Sequence, residues 1–332
     1  MIISSSRFWV SILGIRVYMP QQQTALVTGG AGFIGSHLVD RLIEEEYRVV
    51  VVDNLSTGKL KNLNPAAVFH HVDITDPMVA EVFQREQPDL VFHLAAQVSA
   101  SSSAKDPIND SQINVIGTLR LLEASRRSGI DKFIFASSGG TMYGDPDDNP
   151  CTEEHSIIPV SPFGMSKYQG ELQLELYRRL YLLRCTALRY GNVYGPRQDP
   201  NGEAGVVAIF SQAMLEGRQP QIFGGGEQSR DFIFVEDVVE ANLNAIGRGD
   251  GMSFNIGTGQ GTDINSIFRL LQGIIGYRWP AEHGPARAGD VHQIYLENSK
   301  AADVLGWTPQ ASLEEGLLRT VEYFSQTVKA AR

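Results

Sequence analysis

Residues 24–37 read Thr24-Ala-Leu-Val-Thr-Gly-Gly-Ala-Gly-Phe-Ile-Gly-Ser-His37, and this stretch decides the fold. An apolar run leads into three spaced glycines, and a helical pattern follows, which predicts a strand, a tight turn and a helix. Gly29 allows the sharp turn, Gly32 lets a pyrophosphate approach the backbone, and Gly35 lets the helix pack closely on the strand. Free N–H groups at the helix start would then bind phosphates.

Asp53 distinguishes this stretch from a glycine-rich turn with a purely structural role. It ends a second apolar run, residues 48–52, about twenty residues beyond the glycines. A carboxylate at that strand end can accept both adenosine ribose hydroxyls and would repel a 2′-phosphate. The pattern therefore predicts a dinucleotide site that takes NAD and not NADP.

Composition sets limits on partners and location. The 332 residues carry 28 Lys and Arg against 38 Asp and Glu, a net charge of −10, and no basic run occurs. This argues against nucleic acid or an anionic membrane as the main partner. Cys151 and Cys185 have neither metal-site spacing nor the number for a disulfide framework, so we expect no metal site and a cytoplasmic location. Residues 1–23 are expected to be an N-terminal appendage, since their apolar pieces are too short to span a bilayer.

Short apolar runs alternate with helical patterns through the first half of the chain. This alternation predicts an α/β fold of the Rossmann type, a doubly wound parallel sheet, with a smaller C-terminal substrate-binding α/β domain. We expect an NAD-binding domain over residues 24–190 plus strands from about 230–258, and a second domain over 191–229 and 259–332. The predicted strands are 25–29, 48–53, 68–72, 89–94, 132–137 and 185–190; the predicted helices are 35–46, 77–86, 112–128 and 161–182.

The residues that follow each strand should line the site, because ligands bind beyond the carboxyl ends of parallel strands. Asp73 and Ile74 follow the third strand, where they could contact adenine or cap a helix. Asn114 could equally brace loops or support the cofactor. Two hydroxyls and two glycines, Ser137 to Gly140, follow the fifth strand and resemble a site. Ser161-Pro162 predicts a helix start, which puts the next two candidates, Phe163 and Lys167, on one helix face.

These residues together resemble the extended short-chain dehydrogenase/reductase family, and within it the bacterial and archaeal UDP-glucose 4-epimerases. The resemblance covers about residues 24–325 and implies NAD as cofactor, a UDP-sugar substrate and a homodimer that pairs helices near 112–128 and 161–182. The matching stretches are residues 28–35, 53–58, 93–97, 189–198, 230–232, 255–259, 287–290 and 305–307.

The resemblance also implies a mechanism. In the family, a tyrosine takes the proton of the sugar 4-hydroxyl while NAD takes the C4 hydride, and a lysine four residues later holds the nicotinamide ribose and lowers the tyrosine pKa. Here Lys167 is that lysine, and Ser138, with Ser137 as the alternative, is the bridging hydroxyl. The tyrosine position is Phe163, which has no ionisable oxygen. We therefore expect binding with very slow turnover. An introduced Tyr→Phe change is favoured over a natural one because the rest of the site is intact.

Gly139 and Gly140 indicate the reaction, because dehydratases and decarboxylases of the family carry acidic residues there. The implied activity is interconversion of UDP-glucose and UDP-galactose. UDP-N-acetylhexosamine or UDP-glucuronate epimerisation, and a non-catalytic role in binding NAD or nucleotide sugar, remain alternatives.

The resemblance assigns ligand roles to two sets of residues. The cofactor set is Gly29, Gly32, Phe33, Ile34, Gly35, Asp53, Asn54, Ser56, Thr57, Gly58, Asp73, Ile74, Leu94, Ala95, Ala96, Gln97, Asn114, Ser137, Lys167 and Tyr190. The substrate set is Ser138, Asn192, Gly205, Val206, Gln221, Phe223, Arg230, Arg287 and Asp290.

Overall fold

The computed structural model describes residues 9–12, 15–18, 22–146, 148–201, 205–286 and 291–330. Its strands are β1 Trp9–Ile12, β2 Ile15–Tyr18, β3 Thr24–Thr28, β4 Arg48–Asp53, β5 Val68–His71, β6 Leu90–His93, β7 Lys132–Ser138, β8 Cys185–Tyr190, β9 Asn192–Tyr194, β10 Gln221–Phe223, β11 Ser229–Arg230, β12 Phe232–Phe234, β13 Met252–Ile256, β14 Thr262–Asp263, β15 Glu282–Gly284 and β16 Gln293–Ile294. Its helices are α1 Phe33–Glu44, α2 Val79–Glu86, α3 Ala100–Lys105, α4 Pro107–Ser111, α5 Gly117–Ser128, α6 Gly139–Met142, α7 Pro162–Tyr181, α8 Val206–Leu215, α9 Val235–Asn244, α10 Ile264–Ile275 and α11 Leu313–Ala330, with a 3₁₀ turn at Leu60–Asn62 and π-helical turns at Gln112–Ile116 and Ala301–Leu305.

A seven-stranded parallel sheet forms the centre, in the order β13-β8-β7-β6-β3-β4-β5. Buried apolar side chains cover both of its faces. Leu38 and Leu42 of α1 pack on one face, and Leu121 of α5 and Leu174 of α7 pack on the other. A strand that is covered on both sides reads as an unbroken apolar run, which is why β4 was recognisable in the sequence. The predicted doubly wound α/β fold is confirmed.

The C-terminal portion has its own small core. Phe210 of α8, Phe268 of α10 and Leu317 of α11 pack together with β12. The sequence predicted that strands near 232–236 and 253–257 would join the main sheet. The second does, since β13 pairs with β8. The first does not: β12 pairs with β9 in a separate two-stranded sheet. Residues on β12 therefore link the two portions of the chain.

Helix α7 begins where the sequence predicted. The Ser161 side chain accepts a hydrogen bond from the Gly164 N–H, and Pro162 occupies the first helical position. The helix ends at Leu182, whose φ of 59° is left-handed. At the N-terminus, β1 and β2 pair as an antiparallel hairpin within the segment predicted to be an appendage.

Candidate active site

The glycine turn between β3 and α1 is built as its spacing predicts. Gly29 has a φ of +70°, and an added Cβ would lie 2.8 Å from the Ala95 nitrogen of the neighbouring loop. A Cβ on Gly35 would lie 2.2 Å from the Gly29 carbonyl oxygen. Only glycine allows these backbones to come so close. At Gly32 the nearest atom to an added Cβ is the Gly29 oxygen, at 3.1 Å.

Asp53 closes this turn from the end of β4. Its Oδ2 accepts the Ala31 N–H at 3.0 Å, and its Oδ1 accepts the Leu55 N–H at 2.7 Å. The side chain is buried, yet it lines the cavity beside the turn. Each carboxylate oxygen can accept more than one hydrogen bond, so both ribose hydroxyls of an adenosine could still be bound.

A cavity of about 860 Å³ runs along the carboxyl ends of the central strands. Most residues that the sequence assigned to the site line it: Gly29, Gly32, Phe33, Ile34, Gly35, Asp53, Asn54, Ser56, Thr57, Asp73, Ile74, Leu94, Ala95, Ala96, Gln97, Ser137, Ser138, Phe163, Lys167, Tyr190, Asn192, Gly205 and Arg230. The volume and the glycine turn fit an extended dinucleotide with part of a second ligand.

Five assigned residues do not line this cavity: Gly58, Asn114, Val206, Gln221 and Phe223. Gly58 lies behind Asp53, because an added Cβ would be 2.7 Å from its Oδ1. Gln221 and Phe223 lie on β10, which pairs with β15 instead of facing the cavity. Arg287 and Asp290 lie outside the described residues.

Asn114 braces the site from behind. It donates to the carbonyl of Gln97 at 2.9 Å and accepts the Gln97 N–H at 2.9 Å. It also donates to the hydroxyl of Ser166 at 3.1 Å. The sequence left open whether Asn114 braces loops or supports the cofactor. These contacts are those of a residue that braces loops.

Asp73 lines the cavity and holds two neighbouring loops. Its carboxylate accepts hydrogen bonds from Thr75 at 2.7 Å and from the Asn54 amide at 2.6 Å. Burial acts to raise the pKa of Asp73, but these hydrogen bonds outweigh it, so the pKa lies below its usual value. The side chain thus fixes the loop after β4 as well as starting the next turn.

Phe163 and Lys167 lie one helical turn apart on the buried face of α7. Lys167 Nζ donates to the Ala136 carbonyl at 2.7 Å and lies 6.0 Å from the centre of the Phe163 ring. Burial lowers the pKa of Lys167 to about 8, while the charge of Asp110 acts to raise it. The Phe163 N–H donates to the Ser103 hydroxyl at 3.1 Å, which fixes the start of α7.

The two serines at the end of β7 differ in their surroundings. The Ser137 hydroxyl is buried and donates to Glu171 at 2.6 Å, within a network that includes the buried Arg189–Glu171 ion pair. The Ser138 hydroxyl accepts from Thr141 at 2.9 Å and is less buried. This favours Ser138 as the bridging hydroxyl.

Tyr143 is not placed to act as a base in the cavity. Its hydroxyl donates to Asn255 at 2.8 Å and accepts from Arg189 at 2.8 Å. Burial raises the pKa of Tyr143 to about 12. The ring is buried and is not among the residues that line the cavity.

The sequence did not predict three charged residues that line the cavity. Lys59 forms an ion pair with Asp199 at 3.1 Å, and Arg197 forms one with Asp40 at 2.7 Å. Lys59, Arg197 and Asp199 all line the cavity. Only Arg197 falls within a matched stretch, 189–198, and nothing in the sequence reveals which residues form these ion pairs.

Two features are absent from the part of the chain that the structure describes. No helix there is both long enough and apolar enough to cross a membrane. Among the same residues, no three His, Cys, Asp or Glu side chains gather in a way that could hold a metal ion.

Comparisons with known proteins agree with this geometry. Residues 25–257 match the model of the NAD dependent epimerase/dehydratase family. A UDP-glucose 4-epimerase of Mycolicibacterium smegmatis is 46% identical over 305 residues, which is 90% of this chain and 97% of the relative. The crystal structure of a UDP-glucose 4-epimerase with UDP-glucose from Thermotoga maritima has a TM-score of 0.91 and 52% identity, covering 92% of this chain and 100% of that one.

A second solved structure is also similar to this chain. It is a tyrosine-to-phenylalanine mutant of UDP-glucuronic acid 4-epimerase from Bacillus cereus, in complex with a fluorinated UDP-sugar and NAD. It has a TM-score of 0.85 and 32% identity, and covers 92% of this chain and 100% of that one.

Proposed function

The chain belongs to the NAD-dependent epimerase/dehydratase family, and we propose that it is a 4-epimerase that interconverts UDP-glucose and UDP-galactose on bound NAD, with turnover impaired by Phe163. One observation carries this proposal. Ser138, Phe163 and Lys167 line the same cavity as the glycine turn and Asp53. Gly140 lines it too and brings no acidic side chain to the cavity.

The residues fit the cofactor. The glycine turn gives the pyrophosphate a close approach, and Asp53 offers acceptors for the adenosine ribose. When bound, NAD supplies a reversible hydride acceptor for the sugar C4. Lys167 would hold the nicotinamide ribose, and Asn192, Gly205 and Arg230 from the second portion of the chain would hold the UDP diphosphate.

Proton transfer is the step that this chain lacks. Removing a hydride from C4 requires that the 4-hydroxyl proton leave at the same time, and Ser138 would pass it to a base at position 163. A phenyl ring cannot accept a proton. Nor can Tyr143 reach it, since its hydroxyl is held between Asn255 and Arg189. We therefore infer that the chain binds both ligands and turns over slowly.

The direct test is a coupled assay of UDP-galactose conversion to UDP-glucose, on the chain and on Phe163→Tyr side by side. General acid–base catalysis contributes about 10²- to 10⁴-fold, so tyrosine should raise kcat by that order. Lys167→Met in the Phe163→Tyr protein is the matched control and should lose the gain. If Phe163→Tyr stays inactive on every UDP-sugar while both forms bind NAD, the result would favour the hypothesis of a non-catalytic binding protein.

The sugar specificity requires a panel of substrates. UDP-N-acetylglucosamine and UDP-glucuronate should be offered to Phe163→Tyr at the same concentrations as UDP-galactose. The proposal expects the highest kcat/KM for the UDP-glucose/UDP-galactose pair. A higher value for either of the others would assign the chain to that epimerisation.

We also propose that the protein is a cytoplasmic homodimer. Met165, Leu172, Leu176 and Leu180 expose an apolar stripe along α7, and Leu119 of the neighbouring α5 is also partly exposed. A stripe of this kind at helical spacing is typical of a helix-pairing interface. Leu176→Glu should shift the mass measured by light scattering from dimer to monomer, whereas Leu60→Glu, on another exposed surface, should not. The two cysteines, free and buried, suit a reducing compartment.

A further inference from the structure

Asp110 on α4 is a buried carboxylate for which the proposed reaction has no use. Its side chain is fully buried, with 0% exposure. Oδ1 accepts hydrogen bonds from the Gln97 amide at 3.0 Å and the Asn114 amide at 3.1 Å. Oδ2 is buried without a hydrogen-bond partner among the described residues. A buried carboxylate in that position is costly unless a nearby positive charge compensates for it.

Lys167 carries a buried positive charge, whereas Asp110 carries a buried negative one. Its ammonium is buried and donates to one neutral acceptor, the Ala136 carbonyl. It forms no ion pair within 4.0 Å with any residue that the structure describes. The other buried charged side chains all have compensating partners, either ion pairs or several N–H donors: Asp53, Glu86, Lys132, Glu171, Arg189, Asp231 and Asp237.

The helices that carry Asp110 and Lys167 pack against each other. Helices α4 and α7 are in contact, and Ser166, the neighbour of Lys167, accepts a hydrogen bond from Asn114. Asn114 also binds Asp110 and both backbone groups of Gln97. Asp110 thus lies where the loop after β6, the π-helical turn and the catalytic helix meet.

We propose that Asp110 is a positioning residue of the active site: it supplies the negative countercharge of Lys167 and holds the Gln97 loop against α7. The inference rests on the proposed function only in that it takes Lys167 to be a residue of the active site. The electrostatic effects are reciprocal. Burial lowers the pKa of Lys167 and the Asp110 charge acts to raise it. Burial raises the pKa of Asp110, and the Ser166 hydroxyl, the Lys167 charge and the Gln97 amide act to lower it.

No other ionisable group in the described chain competes for this role. His93 on β6 is held neutral, because complete burial keeps its pKa well below the usual value. Glu171, one turn further along α7, is paired with Arg189. On β7, the neighbours of Lys167 Nζ are the Phe135 ring and the Ala136 carbonyl.

The test measures Lys167 itself. The holoprotein is labelled with ¹³C at lysine Cε and titrated by NMR, and the Lys167 signal is identified by its absence in Lys167→Met. Asp110→Asn should lower the Lys167 pKa by about one unit, since an adjacent opposite charge shifts a pKa by that order. Asp106→Asn is the matched control: this exposed residue caps the same helix, and asparagine caps equally well. An unchanged Lys167 pKa in folded Asp110→Asn would overturn the proposal.

A double-mutant cycle keeps the test decisive if Asp110→Asn is poorly stable. Asp110→Asn should lower the urea midpoint, and it should do so by less in the Lys167→Met background, where no ammonium remains to be compensated. Additive effects would contradict a charge pairing. In the Phe163→Tyr protein, Asp110→Asn should move the alkaline limb of the kcat profile to lower pH and leave KM unchanged. The NMR and urea results do not depend on turnover, so this inference and the proposed function can fail separately.

Discussion

The contact between Gly35 and the Gly29 carbonyl yields the sharpest structural prediction. A Cβ at position 35 would lie 2.2 Å from the Gly29 oxygen and 2.9 Å from both the Gly29 carbonyl carbon and the Gly30 Cα. Carbon–oxygen contacts are normally at least about 3.3 Å. Gly35→Ala must therefore move α1 or the turn by about 1 Å, and all three obstructing atoms are backbone.

We expect Gly35→Ala to destabilise the protein by about 2 kcal/mol. Overpacking a tight site costs about 1–3 kcal/mol, and the better helix propensity of alanine offsets up to about 1 kcal/mol. Because the displaced carbonyl belongs to the phosphate-binding turn, NAD affinity should fall by about tenfold or more. Urea unfolding measures the first effect, and NAD titration of the apoprotein by fluorescence measures the second.

Gly273 provides the matched control. It lies inside α10, and an added Cβ there would meet no atom within 4 Å. Gly273→Ala should leave NAD affinity unchanged and should raise stability by about 0.5–1 kcal/mol. If Gly35→Ala behaved like Gly273→Ala in both assays, the close-packing explanation of the third glycine would be refuted.

Three further predictions concern the site. Asp53→Ser should weaken NAD binding by about 10- to 100-fold and reduce discrimination against NADP, because it removes charged hydrogen bonds to the ribose and the repulsion of a 2′-phosphate; titrations with both cofactors measure this. In the Phe163→Tyr protein, Ser138→Ala should lower kcat by about 10²-fold, whereas Ser137→Ala should mainly destabilise the fold by about 1–3 kcal/mol; equal effects on kcat would contradict their different surroundings. The Lys167 pKa falls from 10.5 to about 8 on folding, so the unfolded chain binds more protons in that window and stability should rise with pH from about 8 towards 10; in urea titrations, Lys167→Met should lack that rise.

The sequence predicted the central sheet well because its signals are local. Unbroken apolar runs marked the buried strands, and Ser161-Pro162 marked the start of α7 to the residue. The partner of β12 depended on contacts distant in the chain. Its short run, Phe232–Phe234, is as apolar as a main-sheet strand, so its composition could not distinguish pairing with β9 from pairing with β8.

For the site as well, local signals could be predicted from the sequence and contacts distant in the chain could not. Residues directly after strands could be assigned because the parallel topology brings those ends together, and most of them line the cavity. The ion pairs Lys59–Asp199 and Arg197–Asp40 could not be assigned from the sequence, because each joins segments more than 100 residues apart. Asp110 was overlooked for another reason. Its surroundings, Gln97 and Asn114, identify it as buried, whereas a carboxylate in a polar stretch usually indicates an exposed helix start.

Phe163 shows why the fold of this site and its chemistry can separate. The position is held by backbone and ring: its N–H binds Ser103, and its buried ring faces Lys167. Neither contact uses a phenolic oxygen, so replacing tyrosine by phenylalanine leaves the packing of α7 in place. In the proposed mechanism, the phenolic oxygen of a tyrosine at this position would act only in proton transfer. Under the proposed function, the chain keeps the cavity, the glycine turn and the lysine, and adding one atom at position 163 in Phe163→Tyr should raise turnover without measurable change in the fold.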